Sequence, residues 1–381
     1  MAAISNPLSG ISDNRRGLAK VDVGLIVATI ILVVFGLMSL YSEGVRDRHA
    51  TFSRQVINTF IGLVPFALMY GIRLRTWAKA SGVLYVMTLG LLAGTLVLGK
   101  DAKGAQRWID VGPLQFQPSE LAKLFLVLTL AAFFAHRRER IHEWSTFGLG
   151  LLHVGIPIAL LLKQPHLGAS LVVLGIWAAI AIVAGTPIRF FGIFLAVFFG
   201  IATAVMVIPS VREHLLQDYQ RERIEGLLNK SKDVRGDNYQ TDRAEIAFGV
   251  GGIYGTGYLN GKQKTGKFVP EQRNDFVFTV LGEEGGLIGC TIVLLAYAFF
   301  FYRVFMVMLR TGDDFARMLA AGVFTLLGLH TVINIGMVLQ LLPVVGLWLP
   351  FMSAGGTAIW LCLACVGLLL NIRRETRDVL F

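Results

Sequence analysis

The chain contains few cysteines and few charged residues for its length. Three of its 381 residues are cysteine, too few for a disulfide framework. Cys362 and Cys365 form a C-x-x-C pattern, but they lie inside an apolar run, which favours two membrane-helix residues over a redox pair or a metal site. Charged residues make up 16% of the chain, whereas soluble domains contain about 25%. This scarcity of charge argues against a soluble enzyme.

Apolar residues occur instead in long blocks, and 55% of the chain is hydrophobic. A membrane-spanning helix needs about 20 mostly apolar residues. The sequence therefore predicts an all-α polytopic membrane protein with about ten membrane helices. The predicted spans are 21–42, 55–72, 81–99, 118–135, 146–163, 168–185, 188–209, 285–309, 315–340 and 356–372.

The distribution of basic residues predicts the orientation of the chain. Lys and Arg are more frequent in the segments that face the cytoplasm when the N-terminus is inside, and the positive-inside rule favours this arrangement. An even number of spans then places both termini, residues 1–20 and 373–381, in the cytoplasm. The net charge of +10 is attributed to the basic residues that orient the chain in the membrane, so nucleic-acid binding is not expected. Residues 1–381 are treated as a single integral membrane domain.

One connection, residues 210–284 between the seventh and eighth spans, is much longer than ordinary loops. Under the predicted orientation it is extracytoplasmic. Its first part, residues 211–228, has apolar side chains at helical spacing and predicts an amphipathic helix on the membrane surface. A glycine-rich stretch follows over residues 249–257.

Ionisable residues next to apolar spans form the first candidate site. Pro118 and Ser119 open a predicted helix, and Glu120 and Lys123 lie three residues apart, so they share a face and can pair. Intramembrane ionisable residues are functional candidates, but a neutralised pair that fixes helix packing is favoured over direct catalysis. Arg107, just upstream, is read as a ligand for an anionic head group or as an interfacial anchor.

The second candidate site lies at the end of the long loop. Asp275 immediately precedes the apolar run 276–281, so it is expected at the mouth of the membrane. Partial desolvation raises a carboxyl pKa and suits a general base. Composition alone favours an ordinary surface role for Asp275. Glu283 and Glu284 are read as charges at a helix N-terminus.

The third candidate site, residues 334–356, has prolines and glycines and no charged residue between two apolar spans. Irregular backbone at membrane depth is tolerated only where protein buries it or where it lines a cavity. The segment therefore predicts a re-entrant or cavity-lining loop, with a plain tight turn as the alternative.

At these sites the sequence resembles the shape, elongation, division and sporulation (SEDS) family of bacterial membrane proteins, and its rod-shape branch more than its division branch. The resemblance covers residues 21–376. It rests on the segments Gly104-Ala-Gln-Arg-Trp108, Gln117-Pro-Ser-Glu-Leu-Ala-Lys123, Gln164-Pro-His-Leu-Gly168, Tyr219-Gln-Arg-Glu-Arg-Ile224, Phe268-Val-Pro-Glu-Gln-Arg-Asn-Asp-Phe276, Gly282-Glu-Glu-Gly285 and Asn334-Ile-Gly-Met-Val338.

The resemblance implies a peptidoglycan glycosyltransferase of the bacterial cytoplasmic membrane. Such an enzyme polymerises lipid II onto a glycan linked to undecaprenyl pyrophosphate, together with a class B penicillin-binding protein, during elongation of rod-shaped cells. The essential aspartate of the family maps onto Asp275, and its buried pair maps onto Glu120 and Lys123. Candidate residues for the substrate and its pyrophosphate are Arg107, Arg223, Lys267, Glu271 and Arg273.

The chain departs from the family pattern mainly around the expected cavity. His166 replaces an aspartate, and Arg273 and Asn274 replace a His-Thr pair. The other departures are Arg243, Ala244, Gln340, Val345, Trp348 and Ala354.

No cofactor is assigned from the sequence, because no spacing of Asp, Glu or His specifies a metal. A divalent cation is left open as a second carrier of positive charge at the leaving pyrophosphate. Two alternatives to the polymerase also stay open: a flippase for lipid II, since broken intramembrane segments occur in transporters, and a scaffold for the transpeptidase without chemistry of its own.

Overall fold

The computed structural model describes residues 21–43, 48–102, 105–111, 114–207, 237–262 and 272–376. The amphipathic helix predicted over 211–228 lies outside these residues, as do 1–20 and 377–381. In chain order the helices are α1 (Val23–Glu43), α2 (Arg48–Ile61), α3 (Leu63–Gly71), α4 (Leu74–Lys79), α5 (Ser81–Leu98), α6 (Pro118–His136), α7 (Trp144–Lys163), α8 (Leu167–Val183), α9 (Ile188–Val207), α10 (Asp237–Gly251), α11 (Val277–Arg310), α12 (Asp314–Val338) and α13 (Gly356–Glu375).

Eight of the described helical segments are long and apolar enough to cross a membrane. They are α1, the continuous segment Thr51–Gly71, α5, α6, α7, α11, α12 and α13. The two shorter apolar segments, Leu167–Val183 and Ile188–Gly200, overlap the remaining predicted spans, 168–185 and 188–209. The prediction of an all-α polytopic protein with about ten membrane helices is therefore confirmed.

A small antiparallel sheet between α5 and α6 was not predicted. Its strands β1 (Lys100–Ala102), β2 (Ala105–Val111) and β3 (Leu114–Phe116) are ordered β1-β2-β3. Lys100 pairs with Trp108, and Ile109 pairs with Phe116. Hydrophobic periodicity missed them because β1 and β3 have only three residues each and β2, with the sequence AQRWIDV, does not alternate apolar and polar residues. The sheet carries Arg107 at the end of the bundle where α6 begins.

Helix α6 occupies the centre of the bundle, packed against α5, α8, α12 and α13. Almost all of its residues are buried, and α13 is nearly as enclosed. By contrast, α1, α5, α7 and α11 each leave apolar side chains exposed, as expected for helices that contact lipid. Lipid could surround an apolar helix, but the buried Glu120 and Lys123 of α6 require protein around them. Cys362 and Cys365 are buried free thiols of α13, as the apolar context predicted.

Helix α11 is broken near its start. At Gly286 the backbone has φ 60° and ψ −159°, so α11 consists of a segment before this residue and a membrane span after it. The first segment, which falls within the predicted loop 210–284, is helical and largely buried. A single long loop is therefore an incomplete description of this region.

The glycine-rich stretch at the end of α10 packs against this break. The Thr256 N–H donates to the Glu283 carbonyl at 2.9 Å, and the Leu287 N–H donates to the Gly252 carbonyl at 2.9 Å. A Cβ atom on Gly251 would lie 2.0 Å from the Gly282 carbonyl oxygen. Close approach of two backbones thus explains why glycines accumulate here.

We expect Gly251→Ala to destabilise the protein by about 1–3 kcal/mol, because the new methyl group overpacks a rigid backbone contact. Gly249→Ala on the same helix is the matched control, since nothing lies within 4 Å of its Cβ position. Thermal unfolding of the detergent-purified variants measures the difference. Equal melting temperatures for the two variants would contradict this packing.

Candidate active site

Asp275 lies in the turn 272–275, directly before α11. Its side chain is partly buried, and the following Phe276 is fully buried. The carboxylate faces the loop between α12 and α13: a Cβ atom on Gly346 would lie 3.6 Å from Asp275 Oδ2. Gly346 has φ +65°, which favours glycine, and its missing side chain leaves this approach open.

Three consecutive carbonyls of this turn accept hydrogen bonds from the helix α12 and from the loop before α13. The Ala354 N–H donates to the Arg273 carbonyl at 2.8 Å, and the Ser353 hydroxyl donates to the Asn274 carbonyl at 2.5 Å. The Asn334 amide donates to the Asp275 carbonyl at 2.8 Å. The backbone of residues 273–275 is therefore fixed by a hydrogen bond at each of its three carbonyls.

The loop 339–355 has no regular helix, and it is buried from Leu347 to Ser353. The predicted segment is irregular and is buried by protein over residues 347–353, but its irregular part begins at residue 339 and not 334, because α12 continues to Val338. Asn334 donates to the Leu347 carbonyl at 2.6 Å, and the Ser353 hydroxyl accepts from the Leu349 N–H at 2.8 Å. These bonds satisfy backbone groups that lipid could not satisfy.

Glu120 and Lys123 form a buried ion pair in the first turns of α6. Their exposed fractions are 2% and 1%, and Lys123 Nζ lies 2.9 Å from each carboxylate oxygen of Glu120. Pairing on a shared face is what the i,i+3 spacing predicted. A charge buried this deeply is stable only when it is paired and hydrogen-bonded.

His330 of α12, which the sequence analysis did not single out, completes this pair. Its Nε2 lies 2.8 Å from Lys123 Nζ, and its Nδ1 lies 3.3 Å from the Trp348 carbonyl oxygen. An ammonium only donates and a carbonyl only accepts, so Nε2 accepts and Nδ1–H donates. Its position inside a membrane span was the available signal, because ionisable residues there are rare.

Arg107 is engaged with the turn between α7 and α8. Its Nε donates to the Gln164 carbonyl at 3.2 Å, and its Nη2 hydrogen-bonds the Pro165 carbonyl. His166, in the same turn, is buried; burial and the charges of Arg107 and Lys123 lower its pKa well below the usual value. His166 is therefore neutral at neutral pH, unlike the aspartate that the family pattern has there.

The remaining predicted site residues fall into two groups. Arg273 is exposed beside Asp275 in the same turn. Arg223, Lys267 and Glu271 lie outside the described residues. Among the described residues, no three His, Cys, Asp or Glu side chains are grouped as they would be around a metal ion.

Comparison with known sequences finds relatives along nearly the whole chain. The model of the cell cycle protein family of FtsW, RodA and SpoVE matches residues 19–378. The peptidoglycan glycosyltransferase MrdB of Escherichia coli K12 is 32% identical over 356 residues, which cover 93% of this chain and 94% of the relative. The probable peptidoglycan glycosyltransferase FtsW of Geobacter metallireducens is 33% identical over 373 residues, with coverages of 94% and 96%.

Solved structures agree with the sequence relatives. A chain from a study of how a peptidoglycan synthase complex coordinates polymerization and crosslinking superposes with a TM-score of 0.79 at 31% identity, and covers 94% of this chain and 99% of that one. The rod shape determining protein RodA of Thermus thermophilus gives a TM-score of 0.68 at 29% identity, with coverages of 94% and 98%. The resemblance seen in the motifs is thus confirmed, and the chain belongs to the FtsW, RodA and SpoVE family of membrane proteins.

Proposed function

We propose that the chain is a peptidoglycan glycosyltransferase that joins lipid II units into glycan strands. The observation that carries this proposal is the partly buried carboxylate of Asp275 at the start of α11, on a turn whose carbonyls are held by α12 and its following loop. The relatives named as peptidoglycan glycosyltransferases support the reaction class.

Asp275 is proposed as the general base. A sugar hydroxyl of lipid II is a weak nucleophile, and its proton passes to the carboxylate as its oxygen bonds to the anomeric carbon of the donor. The bond from that carbon to the pyrophosphate breaks at the same time, and the electron pair leaves with the pyrophosphate. Attack from the opposite face inverts the α-linked donor to a β-1,4 linkage.

The leaving pyrophosphate develops charge that cations must stabilise. Arg273 is exposed two residues from Asp275 and is the described candidate nearest in the chain. Arg223, Lys267 and Glu271 remain proposed substrate contacts from the family motifs. Arg107 is proposed to act together with the turn 164–166, which its guanidinium holds.

The Glu120–Lys123 pair is proposed to organise the site and not to touch the substrate. Both side chains are almost completely buried, and the pair reaches the loop 339–355 through His330. A flippase would instead need charged groups that line a passage. The deep burial of this pair favours the polymerase.

We place the chain in the bacterial cytoplasmic membrane with both termini in the cytoplasm, on the basis of its basic residues. Lipid II would then be used at the outer face, in contact with surrounding membrane lipids. The structural relative from a complex that couples polymerization with crosslinking supports a class B penicillin-binding protein as the partner. A role in elongation and rod shape is proposed from the RodA and MrdB relatives.

Asp275→Asn is expected to lower lipid II polymerisation about 10²–10⁴-fold, because the amide cannot take the proton. Glycan chains made by the purified protein, alone and with its transpeptidase, are resolved on a gel. Asp242→Asn, at an exposed carboxylate of α10, is the matched control and should stay active. Full activity of Asp275→Asn would remove this base from the mechanism, and tolerance of all outer-loop charge changes would favour the scaffold.

Replacing one residue of the buried pair should lower the free energy of unfolding more than replacing both. Lys123→Met leaves the Glu120 carboxylate buried without its cation and is expected to destabilise by about 3–5 kcal/mol. The double variant Glu120→Gln/Lys123→Met should recover much of this loss. Lys79→Met, at an exposed lysine of α4, controls for the substitution itself. The measurement is chemical unfolding in detergent. If Lys123→Met is as stable as the parent, Lys123 does not neutralise a buried carboxylate at Glu120.

A divalent cation is proposed to bind mainly through the substrate. Mg²⁺ is commonly held by one or two carboxylates plus substrate phosphates, so it needs no large cluster of protein ligands. EDTA is then expected to slow polymerisation and added Mg²⁺ to restore it, while the melting temperature of the substrate-free protein stays constant. An unchanged rate in EDTA would assign the leaving-group charge to Arg and Lys alone.

A further inference from the structure

Asn334 joins the turn of Asp275 to the neighbouring loop. Its side chain is fully buried, and its amide nitrogen donates to the Asp275 carbonyl at 2.8 Å and to the Leu347 carbonyl at 2.6 Å. Both hydrogens of the amide are therefore used, each by a different segment of the chain. The backbone of Asp275 and the loop residue 347 are fixed at a distance set by one planar group.

The same face of α12 holds a second point of the loop. His330 lies four residues before Asn334, one helical turn away on the same side. It donates to the carbonyl of Trp348, the residue after Leu347. His330 is in turn held by Lys123 of the central helix α6. Hydrogen bonds from α12 to two adjacent carbonyls thus fix the loop relative to this helix. Through His330, the loop is also connected to the buried Lys123.

This loop forms the surface in front of the Asp275 carboxylate. Gly346, which precedes Leu347, is the residue whose Cβ position lies 3.6 Å from Asp275 Oδ2. A shift of the Leu347 carbonyl would therefore move the loop backbone toward or away from the carboxylate. Asn334 hydrogen-bonds the backbone on both sides of this gap, at Asp275 and at Leu347.

Packing alone does not explain an amide at this position. The Asn334 Oδ1 atom is buried and has no hydrogen-bond partner among the described residues. A buried acceptor without a partner is unfavourable, and the amide is nevertheless needed here because an apolar side chain would leave the carbonyls of Asp275 and Leu347 without this donor. An aspartate would also fail, since its carboxylate would face two carbonyl oxygens with no hydrogen to donate.

We propose that Asn334 is a positioning residue for the reaction, which sets the Asp275 carboxylate against the loop at Gly346. The inference rests on the proposed role of Asp275 as general base. Asn334 does not touch the reacting atoms in this proposal; it acts through the backbone of residue 275. Its loss should therefore reduce the rate of the chemical step more than the binding of lipid II.

The chain supplies a matched control in Asn371 of α13. This residue is also fully buried, and its amide donates to two carbonyls, those of Met69 at 2.8 Å and Ile72 at 2.6 Å. It lies near the opposite end of the bundle, where α3 ends. Substitution at Asn371 thus removes the same two donor bonds, together with one that Asn371 Oδ1 accepts from Arg374 at 2.8 Å, without affecting the Asp275 turn.

The experiment compares Asn334→Leu, Asn371→Leu and Asp275→Asn for lipid II polymerisation and thermal unfolding. Asn334→Leu should lower kcat about 10- to 100-fold, as expected for a displaced catalytic group, with KM for lipid II nearly unchanged. Asn371→Leu should lower the melting temperature but keep kcat per folded molecule. Asn334→Gln, which retains the donors on a longer stem, should fold and recover part of kcat.

Two distinct results would overturn the inference. If Asp275→Asn is inactive while Asn334→Leu and Asn334→Gln keep the parent kcat, Asn334 is only structural and the proposed function stands. If Asp275→Asn keeps full activity, the general base lies elsewhere, and the proposed role of Asp275 and the positioning role of Asn334 fail together. When Asn334→Leu does not fold, Asn334→Ala, which also lacks the amide donors, takes its place, and the parent kcat in that variant overturns the inference.

Discussion

The buried ion pair of Lys123 with Glu120, in the first turns of α6, requires the neighbouring helices to pack closely around it. Removing two such charges from water costs several kcal/mol for each ion, and only close pairing with additional hydrogen bonds offsets this cost. Lys123 pairs closely with the Glu120 carboxylate and makes an additional hydrogen bond to His330. The Trp348 ring centroid lies 5.5 Å from its ammonium. Helix α6 must therefore stay surrounded, and α12 must stay in register with it.

Hydrogen bonds made by side chains of α12 connect this ion pair to the candidate active site. His330 and Asn334, one turn apart, hold the consecutive carbonyls of Trp348 and Leu347. An irregular loop can exist inside the bundle because these side chains satisfy its backbone. The same loop and helix hold the turn of Asp275. A buried polar network thus sets the geometry of the partly buried Asp275 carboxylate, although the two sites lie far apart in the sequence.

Several features were predictable because they depend on near neighbours in the chain. The membrane helices follow from long apolar runs, and the pairing of Glu120 with Lys123 follows from their spacing on one helix. The partial burial of Asp275 follows from the apolar run after it. Two other features were missed. The strands β1 and β3 are very short and β2 does not alternate apolar and polar residues, and the break at Gly286 lies where the sequence predicts a loop followed by a span.

The class of the protein, its membrane helices and the polar residues that stand out against an apolar background could all be identified from the sequence. Hydrophobic length and local spacing are sufficient for these, since each is decided within a few turns of chain. The contacts that these polar residues make with distant parts of the chain depend instead on the fold. His330 meets Lys123 from 207 residues away, and Asn334 meets the Asp275 backbone from 59 residues away. Such contacts depend on how helices pack around α6, and packing is a property of the whole bundle that no single segment encodes.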